Sequence, residues 1–417
     1  MPRNGRGVVA TMTSTTSRVF IHARLADATS RLVGACEIVP MMGSALGVVE
    51  YARSWTESGR AFPLHPDLLP LRRGQFTLRT RGGLGCLADS TPDLWGRRII
   101  AASMNPPPAD GPAWLLATGD DRVGCLAFSK TPSLGAVGES FGSVMNLERI
   151  AEAFQRIERG EPADPLSEHL YRAGISLGGV RPKAVVDYEG HLWIAKFQRR
   201  TDEFDQCGAE DAAMRLAARC GIDAAETRMC KAGSHRVVLV RRFDRSPGPP
   251  YHPTGHFLSA LSALDLDETS GDGSYPQIAD FLHRHSAAHR VDREELFRRM
   301  VFNVLIGNRD DHLKNHAIMH RPGTGWRLTP AFDVLPQPDM DPVQAISVGK
   351  HGTTPSIANC LTRCGEFGLH EDPARALIET IVARLRGWRT FYGESGVDGR
   401  TIDRLRRAFS PTLDPAN

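Results

Sequence analysis

Seven consecutive residues, Asp310-Asp311-His312-Leu313-Lys314-Asn315-His316, bring together acids, imidazoles, an ammonium and a carboxamide. A Gly/Pro turn and a short apolar stretch later comes one more acid, Asp333, expected on a strand between apolar neighbours. Such a set can hold a metal–phosphate complex beside a base. Phosphoryl transfer needs a carboxylate that orients the attacking hydroxyl, oxygen ligands for Mg²⁺ and a lysine that offsets phosphate charge. It also needs a glycine-rich turn where backbone N–H groups approach the nucleotide. Asp310 and Asn315 have the D-x4-N spacing at which protein kinases place a catalytic Asp and a metal-binding Asn. The Asn315 carboxamide and the Asp333 carboxylate are hard oxygen donors, better suited to Mg²⁺ than His316 or His320.

The upstream order fits the same chemistry. SLGGVRPK, from Ser176 to Lys183, is a glycine-rich turn between strands and could cover phosphates. Lys196 stands in the apolar strand IAKF, where a lone charge is costly without a partner or ligand. Glu210 begins the next helix and could be that partner. The strand ending at Val240–Phe243 then falls where the linker between kinase lobes meets adenine through its backbone. Each piece alone has a plainer reading. Asp310 could be a turn acid, Lys196 a snorkelling strand-end lysine, the glycines only a turn, and Glu210 a charge suited to a helix N-terminus. What selects the chemical reading is the order: glycine turn, strand lysine, helix acid, linker strand, core helix, D-x4-N and metal-binding Asp.

The elements that must position these groups can be read from apolar periodicity. The segments RVFIHARL, RLVGACEIV and ALGVVEYA read as strands. Ser90 or Thr91 reads as the cap of a helix with Pro92 first and Leu94, Trp95 and Ile99 on its buried face. Trp55, Trp95 and Trp114 read as core residues. A helix is expected over Leu147–Glu158, and a hairpin turning at Asp187–Gly190. An amphipathic helix over 209–222 ends at Gly221. A buried strand covers 236–245, and helical segments lie around 256–264 and 276–284. The clearest helix is Asp292–Ile306, capped by Asp292 and stopped by Gly307, so the acidic loop hangs from the end of a core helix. A last long helix is expected over Asp372–Phe391.

With 417 residues, 41% hydrophobic and 24% charged, the chain is an ordinary globular sequence long enough for two or more lobes. A formal charge of +3 neither requires nor excludes a nucleic-acid partner. The eight cysteines are scattered with no C-x-x-C pair, which points to reduced buried thiols in a cytoplasmic protein. The N-terminal residues make a poor signal peptide, and no apolar run is long enough to span a bilayer.

The sequence resembles the HipA family of serine/threonine kinases, the toxins of bacterial toxin–antitoxin pairs. The resemblance rests on ISLGGVRPKA (175–184), IAKF (194–197), MRLAARCGI (214–222), RRFDR (241–245), GNRDDHLKNHA (307–317) and LTPAFDVLP (328–336). EYARSW (50–55), FPL…LPL (62–71) and GCLADSTPDLWGRR (85–98) resemble the small domain that precedes the kinase fold in that family, so nearly the whole chain is covered. The resemblance implies an α+β, protein-kinase-like bilobal fold, with a small N-terminal α+β subdomain and a mostly helical C-terminal lobe. The implied boundaries are a disordered tail over 1–17, the small domain over 18–132 and a linker over 133–146. The nucleotide-binding part of the kinase then covers 147–243, the helical lobe with the catalytic loop 244–410, and a second tail 411–417.

The resemblance also implies roles. Asp310 is the catalytic base, and Asn315 and Asp333 bind Mg²⁺. Lys196 contacts the α- and β-phosphates of ATP with Glu210 in support, and His312 lies near the nucleotide. Gly178, Gly179, Val180, Arg181 and Lys183 form the phosphate loop. Arg241, Arg242 and Phe243 form the adenine linker, with Arg241 standing where some members carry an acid. Ser176 matches a serine whose autophosphorylation expels the loop and silences the kinase. The D-x4-N spacing selects Asp310 over Asp311, which is then a helix-cap or supporting acid. Family substrates include aminoacyl-tRNA synthetases. The family's partner is a small helix-turn-helix antitoxin, through which contact with DNA is indirect. Two other readings remain: a metal-dependent hydrolase using Asp310, His312, His316 and Asp333, and a kinase-shaped corepressor without catalysis.

Overall fold

A computed structural model describes residues 17–104, 106–119, 122–135, 142–159, 161, 181–268 and 271–413. Ser176, Gly178, Gly179 and Val180, most of the expected tail 1–17 and the end of the expected tail 411–417 lie outside the described residues.

The β-branched runs near the N-terminus form an antiparallel sheet. Its strands are β1 (Ser17–Arg24), β2 (Ser30–Met41), β3 (Ser44–Tyr51), β4 (Gln75–Leu78) and β5 (Leu126–Ser129), ordered β4-β3-β2-β1-β5. Val19, Ile21, Val33, Cys36 and Val49 are buried, as alternating strands with one covered face require. A second sheet holds β6 (Gly142–Ser143), β7 (Lys183–Tyr188), β8 (His191–Phe197), β9 (Thr227–Ala232) and β10 (His235–Arg241), in the order β6-β7-β8-β10-β9. Its β7–β8 hairpin turns on Glu189 and Gly190, with φ of +50° and +71°, the positive values that a two-residue hairpin loop demands. A third, small sheet joins β11 (His256–Ser259), β12 (Ala317–Arg321) and β13 (Gly325–Leu328).

Helix 206–219 is rich in alanine and lies against the second sheet, with Ala209, Ala212, Ala213 and Ala217 fully enclosed. Asp205 caps it by accepting from the Gly208 N–H at 3.0 Å. Helix 289–306 forms the spine of the C-terminal part and ends on Gly307. Only glycine fits there: φ is +68°, and a Cβ would lie 2.2 Å from the Ala408 carbonyl oxygen. The Asp310 loop therefore leaves a fixed point.

Several expected elements are different. Helix 289–306 starts earlier than Asp292, with Ala288 at its N-cap position. Asp292 is buried, accepts from the Ser286 hydroxyl at 2.6 Å and binds Arg327, so it ties the helix to β13. The cap expected at Ser90 or Thr91 is Asp93, and Leu94 is 59% exposed. Strand β10 ends at Arg241, because Arg242 and Asp244 turn inward as an ion pair. The segment 256–264 begins as strand β11, since pairing with β12 overrides its local preference. The expected helix 372–391 is two helices, Glu371–Leu385 and Trp388–Glu394, parted by Gly387 at φ +79°. Asp333 lies on no strand and has a left-handed φ of +58°. Part of the expected linker is ordered, as β6 pairs in parallel with β7.

Helix Leu94–Ser103 lies in sequence between β4 and β5 of the first sheet but packs on the second. Trp95 meets Phe154 edge-on at 5.1 Å, and Phe154 meets Phe197 at 5.2 Å. The N-terminal sheet joins the C-terminal part through reciprocal histidine bonds. His65 Nε2 donates to the Ala263 carbonyl at 3.1 Å, and His256 Nε2 donates to the Leu64 carbonyl at 2.9 Å. Among the described residues no helix is long and apolar enough to cross a membrane.

Candidate active site

Two groups of side chains face one another across the second sheet and the Asp310 loop. On the sheet side, Lys183 and Lys196 are direct partners in the antiparallel β7–β8 pair. Their side chains therefore share a face, an arrangement that repels unless acids balance it. Lys196 Nζ donates to Glu210 Oε1 at 2.5 Å and also to Asp333. The β8 lysine, the acid of helix 206–219 and the acid expected to bind metal thus meet at one point. Burial works against the Lys196 ammonium, but Asp333 and Glu210 raise its pKa above the ordinary value. Burial likewise opposes ionisation of Asp333, yet Lys196, and then Lys183, hold its carboxyl well below the usual range. Burial pushes Glu210 up, against the pull of Lys196.

On the loop side the two adjacent acids have opposite surroundings. Asp311 is 2% exposed. It accepts from the Tyr275 hydroxyl and lies 3.1 Å from His316 Nε2. Tyr275 in turn accepts from Asn303 Nδ2 at 3.1 Å. Burial alone would raise the Asp311 carboxyl, but His316 and the hydrogen bonds hold it below the ordinary value. Asp310 is exposed. Its pKa is raised by partial burial and by the charges of Asp333 and Asp311, with His312 opposing. Asn315 is buried and donates from Nδ2 to the Asp310 carbonyl at 3.2 Å. That bond fixes the loop and leaves the Asn315 carbonyl oxygen as the free donor atom of its side chain.

The remaining expected site residues divide. Arg181 binds Asp202 at 2.5 Å through its guanidinium, and its charge also acts on Glu210, the partner of Lys196. Arg241 pairs with Glu226 at 3.1 Å. Its N–H donates to the Glu226 carbonyl, and the Arg242 N–H to the Leu192 carbonyl. The Arg242 side chain is buried against Asp244 at 2.7 Å, beside the Arg245–Asp244 pair at 2.6 Å. That cluster also receives the Gly124 N–H at 2.8 Å and so fixes the linker to the N-terminal unit. Phe243 stacks obliquely on Phe332, next to Asp333, at 5.7 Å. His312 is exposed beside Asp310.

The donor set fits Mg²⁺: a carboxamide oxygen and a carboxylate, both hard. The histidines fit a metal less well. His316 is buried and paired with Asp311, and His320 packs between Phe62 and Trp326. Among the described residues no three His, Cys, Asp or Glu side chains come together as a metal cluster. Tyr275 and Asn303 brace the loop without any local signal in the sequence. Asp93, 3.8 Å from Lys183, carries no sequence signal beyond its place after Pro92.

A family model described as the HipA-like C-terminal domain matches residues 175–388, and one described as the HipA N-terminal domain matches residues 25–129. The chain is 26% identical over 333 residues to the putative kinase Y4mE of Sinorhizobium fredii, which spans 73% of this chain and 76% of that protein. It is 26% identical over 320 residues to the serine/threonine-protein kinase toxin HipA of Shewanella oneidensis, 69% of each. Among solved structures, it matches a chain of the Shewanella oneidensis HipA, HipB and operator DNA complex with a TM-score of 0.69. That match has 19% identity and covers 95% of this chain and 96% of the other; at that identity it establishes the fold.

Proposed function

Because this chain belongs to the HipA family, we propose that it is an ATP- and Mg²⁺-dependent serine/threonine protein kinase. The observation that carries the reading is Lys196 bridging Glu210 and Asp333 opposite the Asp310 loop. A strand lysine paired with a helix glutamate, beside a metal-binding aspartate, is the arrangement that phosphoryl transfer requires of a kinase.

In this reading Lys196 neutralises the α- and β-phosphates, and Glu210 keeps it in place. Asn315 and Asp333 hold Mg²⁺, which when bound draws charge from the phosphate oxygens. Asp310 orients the substrate hydroxyl. The hydroxyl oxygen bonds to the γ-phosphorus, the bond from that phosphorus to the bridging oxygen breaks, the proton passes to Asp310, and ADP leaves. A carboxyl raised by burial and neighbouring acids is a better proton acceptor than an ordinary one. Lys183, with Gly178 to Val180, belongs to the phosphate loop, and Arg241 to Phe243 form the adenine linker, where the Arg241 and Arg242 N–H groups are already bonded within the fold and the contact falls to the remaining backbone groups. The substrate is a protein hydroxyl, with an aminoacyl-tRNA synthetase as the first candidate. A small helix-turn-helix antitoxin is the proposed partner, with DNA reached through it and the cytoplasm as the compartment.

Labelled ATP incubated with a cell lysate tests the reading. The wild-type chain transfers label to a protein, and Asp310→Ala does not. Transfer by Asp310→Ala at the wild-type rate overturns the assignment. In the same incubation, intact mass shows one phosphate fewer on Ser176→Ala than on wild type. Equal mass gain removes Ser176 as the modified residue.

A further inference from the structure

Lys183 is almost wholly enclosed, and beside it stands a carboxylate from the other family domain. Asp93 Oδ2 lies 3.8 Å from Lys183 Nζ, with side chains 11% and 5% exposed respectively. Asp93 falls within the N-terminal match, 25–129, and Lys183 within the C-terminal match, 175–388. The two Asp93 oxygens do different things. Oδ1 accepts from the Gly96 N–H at 3.1 Å and caps helix Leu94–Ser103. Oδ2 is buried and, among the described residues, accepts no hydrogen bond. A buried carboxylate oxygen left without a donor is costly, so an electrostatic counterpart must hold it there.

We infer that Asp93 is a positioning residue of the nucleotide site, holding the Lys183 ammonium where it meets the phosphates. The inference rests on the kinase reading. Lys183 stands opposite Lys196 on the same sheet face, and like charges so placed repel. Glu210 and Asp333 bond Lys196 directly and act on Lys183 only as charges nearby. Asp93 supplies the compensating charge from the opposite side. Burial pushes the Asp93 carboxyl up and the Lys183 ammonium down, and each is the other's foremost electrostatic counterweight. Trp95, fully buried against Phe154, fixes the start of the helix and hence the carboxylate. The N-terminal domain therefore completes the nucleotide site of the kinase domain.

Asparagine is as good an N-cap as aspartate, so Asp93→Asn keeps the helix and removes the charge; Asp93→Ser is a second neutral cap. Calorimetric titration with an Mg-bound, non-hydrolysable ATP analogue gives the readout. Asp93→Asn weakens binding about tenfold and lowers the melting temperature, because the buried Lys183 ammonium loses its counter-charge. In a Lys183→Met background the same change has no further effect, because Asp93 acts through Lys183. Unchanged or tighter binding in Asp93→Asn or Asp93→Ser, or an undiminished effect in Lys183→Met, overturns the inference. If the wild-type chain shows no saturable binding, the kinase reading itself falls and takes this one with it.

Discussion

On the sheet side of the cleft, Lys196 is enclosed and bridged to Glu210 and Asp333. On the loop side, Asp310 is the more exposed, and partial burial together with the like charges of Asp333 and Asp311 raises its pKa while His312 opposes. The first arrangement lowers the energy of the folded chain whenever its partners are charged. The second raises it, because the folded surroundings disfavour the ionised carboxyl. Stability and chemistry are thus aligned on one side of the cleft and opposed on the other, as expected where a base must be both reactive and accessible.

The largest expected effects test that contrast. Lys196→Met should lower phosphate transfer by about 10²–10³-fold and also destabilise the fold by about 3 kcal/mol, because Glu210 is left buried and unpaired. Asp310→Asn should lower transfer by about 10²–10⁴-fold, yet its melting temperature should equal or exceed that of wild type. Transfer assays and calorimetric melting on the same preparations decide this. If both variants lose stability equally, the contrast between the two sides is wrong.

A smaller effect separates the adjacent acids. Asp311 is the one that the fold needs, since it accepts from Tyr275 and faces His316 in the interior. Asp311→Ala leaves those groups without their partner and should cost about 3 kcal/mol of stability, read from urea unfolding. The corresponding Asp310→Ala change should cost almost nothing. Equal losses at the two positions would show that burial does not distinguish them.

How much of this was legible in the sequence depended on separation. Asp310 and Asn315 belong to one loop, so their spacing carries their relation directly. Lys196 and Glu210 lie on successive elements, and their pairing at 2.5 Å follows from strand-then-helix order. Asp93 and Lys183 belong to distant segments that only the packing of Trp95 on Phe154 brings together, and no periodicity encodes that. Asp333 was expected on a strand because its apolar neighbours mimic one; the residue instead occupies a left-handed bend at φ +58°. The break at Gly387 was hidden because Leu385, Trp388 and Phe391 continue the apolar spacing across it. In each case the local pattern was sound and a tertiary contact or a turn overrode it.

The smallest effect concerns how each side is braced from behind. The sheet side leans on Trp95 and its helix. The loop side leans on β11, whose His256 donates to the Leu64 carbonyl at 2.9 Å. Burial lowers the His256 pKa to about 4, and its Nδ1 is enclosed without an acceptor. The folded state therefore binds this proton less readily than the unfolded chain, whose histidines titrate at about 6.5. The stabilisation from a neutral His256 is complete above that pH and is lost as pH falls towards 4. His65 and His320 are shifted the same way by burial. Between pH 7.5 and 5.5, His256 alone should cost the fold about 1 kcal/mol. Hydrogen exchange at pH 5.5 should then show faster opening of β11 to β13 while β7 and β8 keep their protection. Replacing the ring by His256→Gln should flatten this pH dependence. Uniform loosening of both sheets would mean that the two sides share one brace.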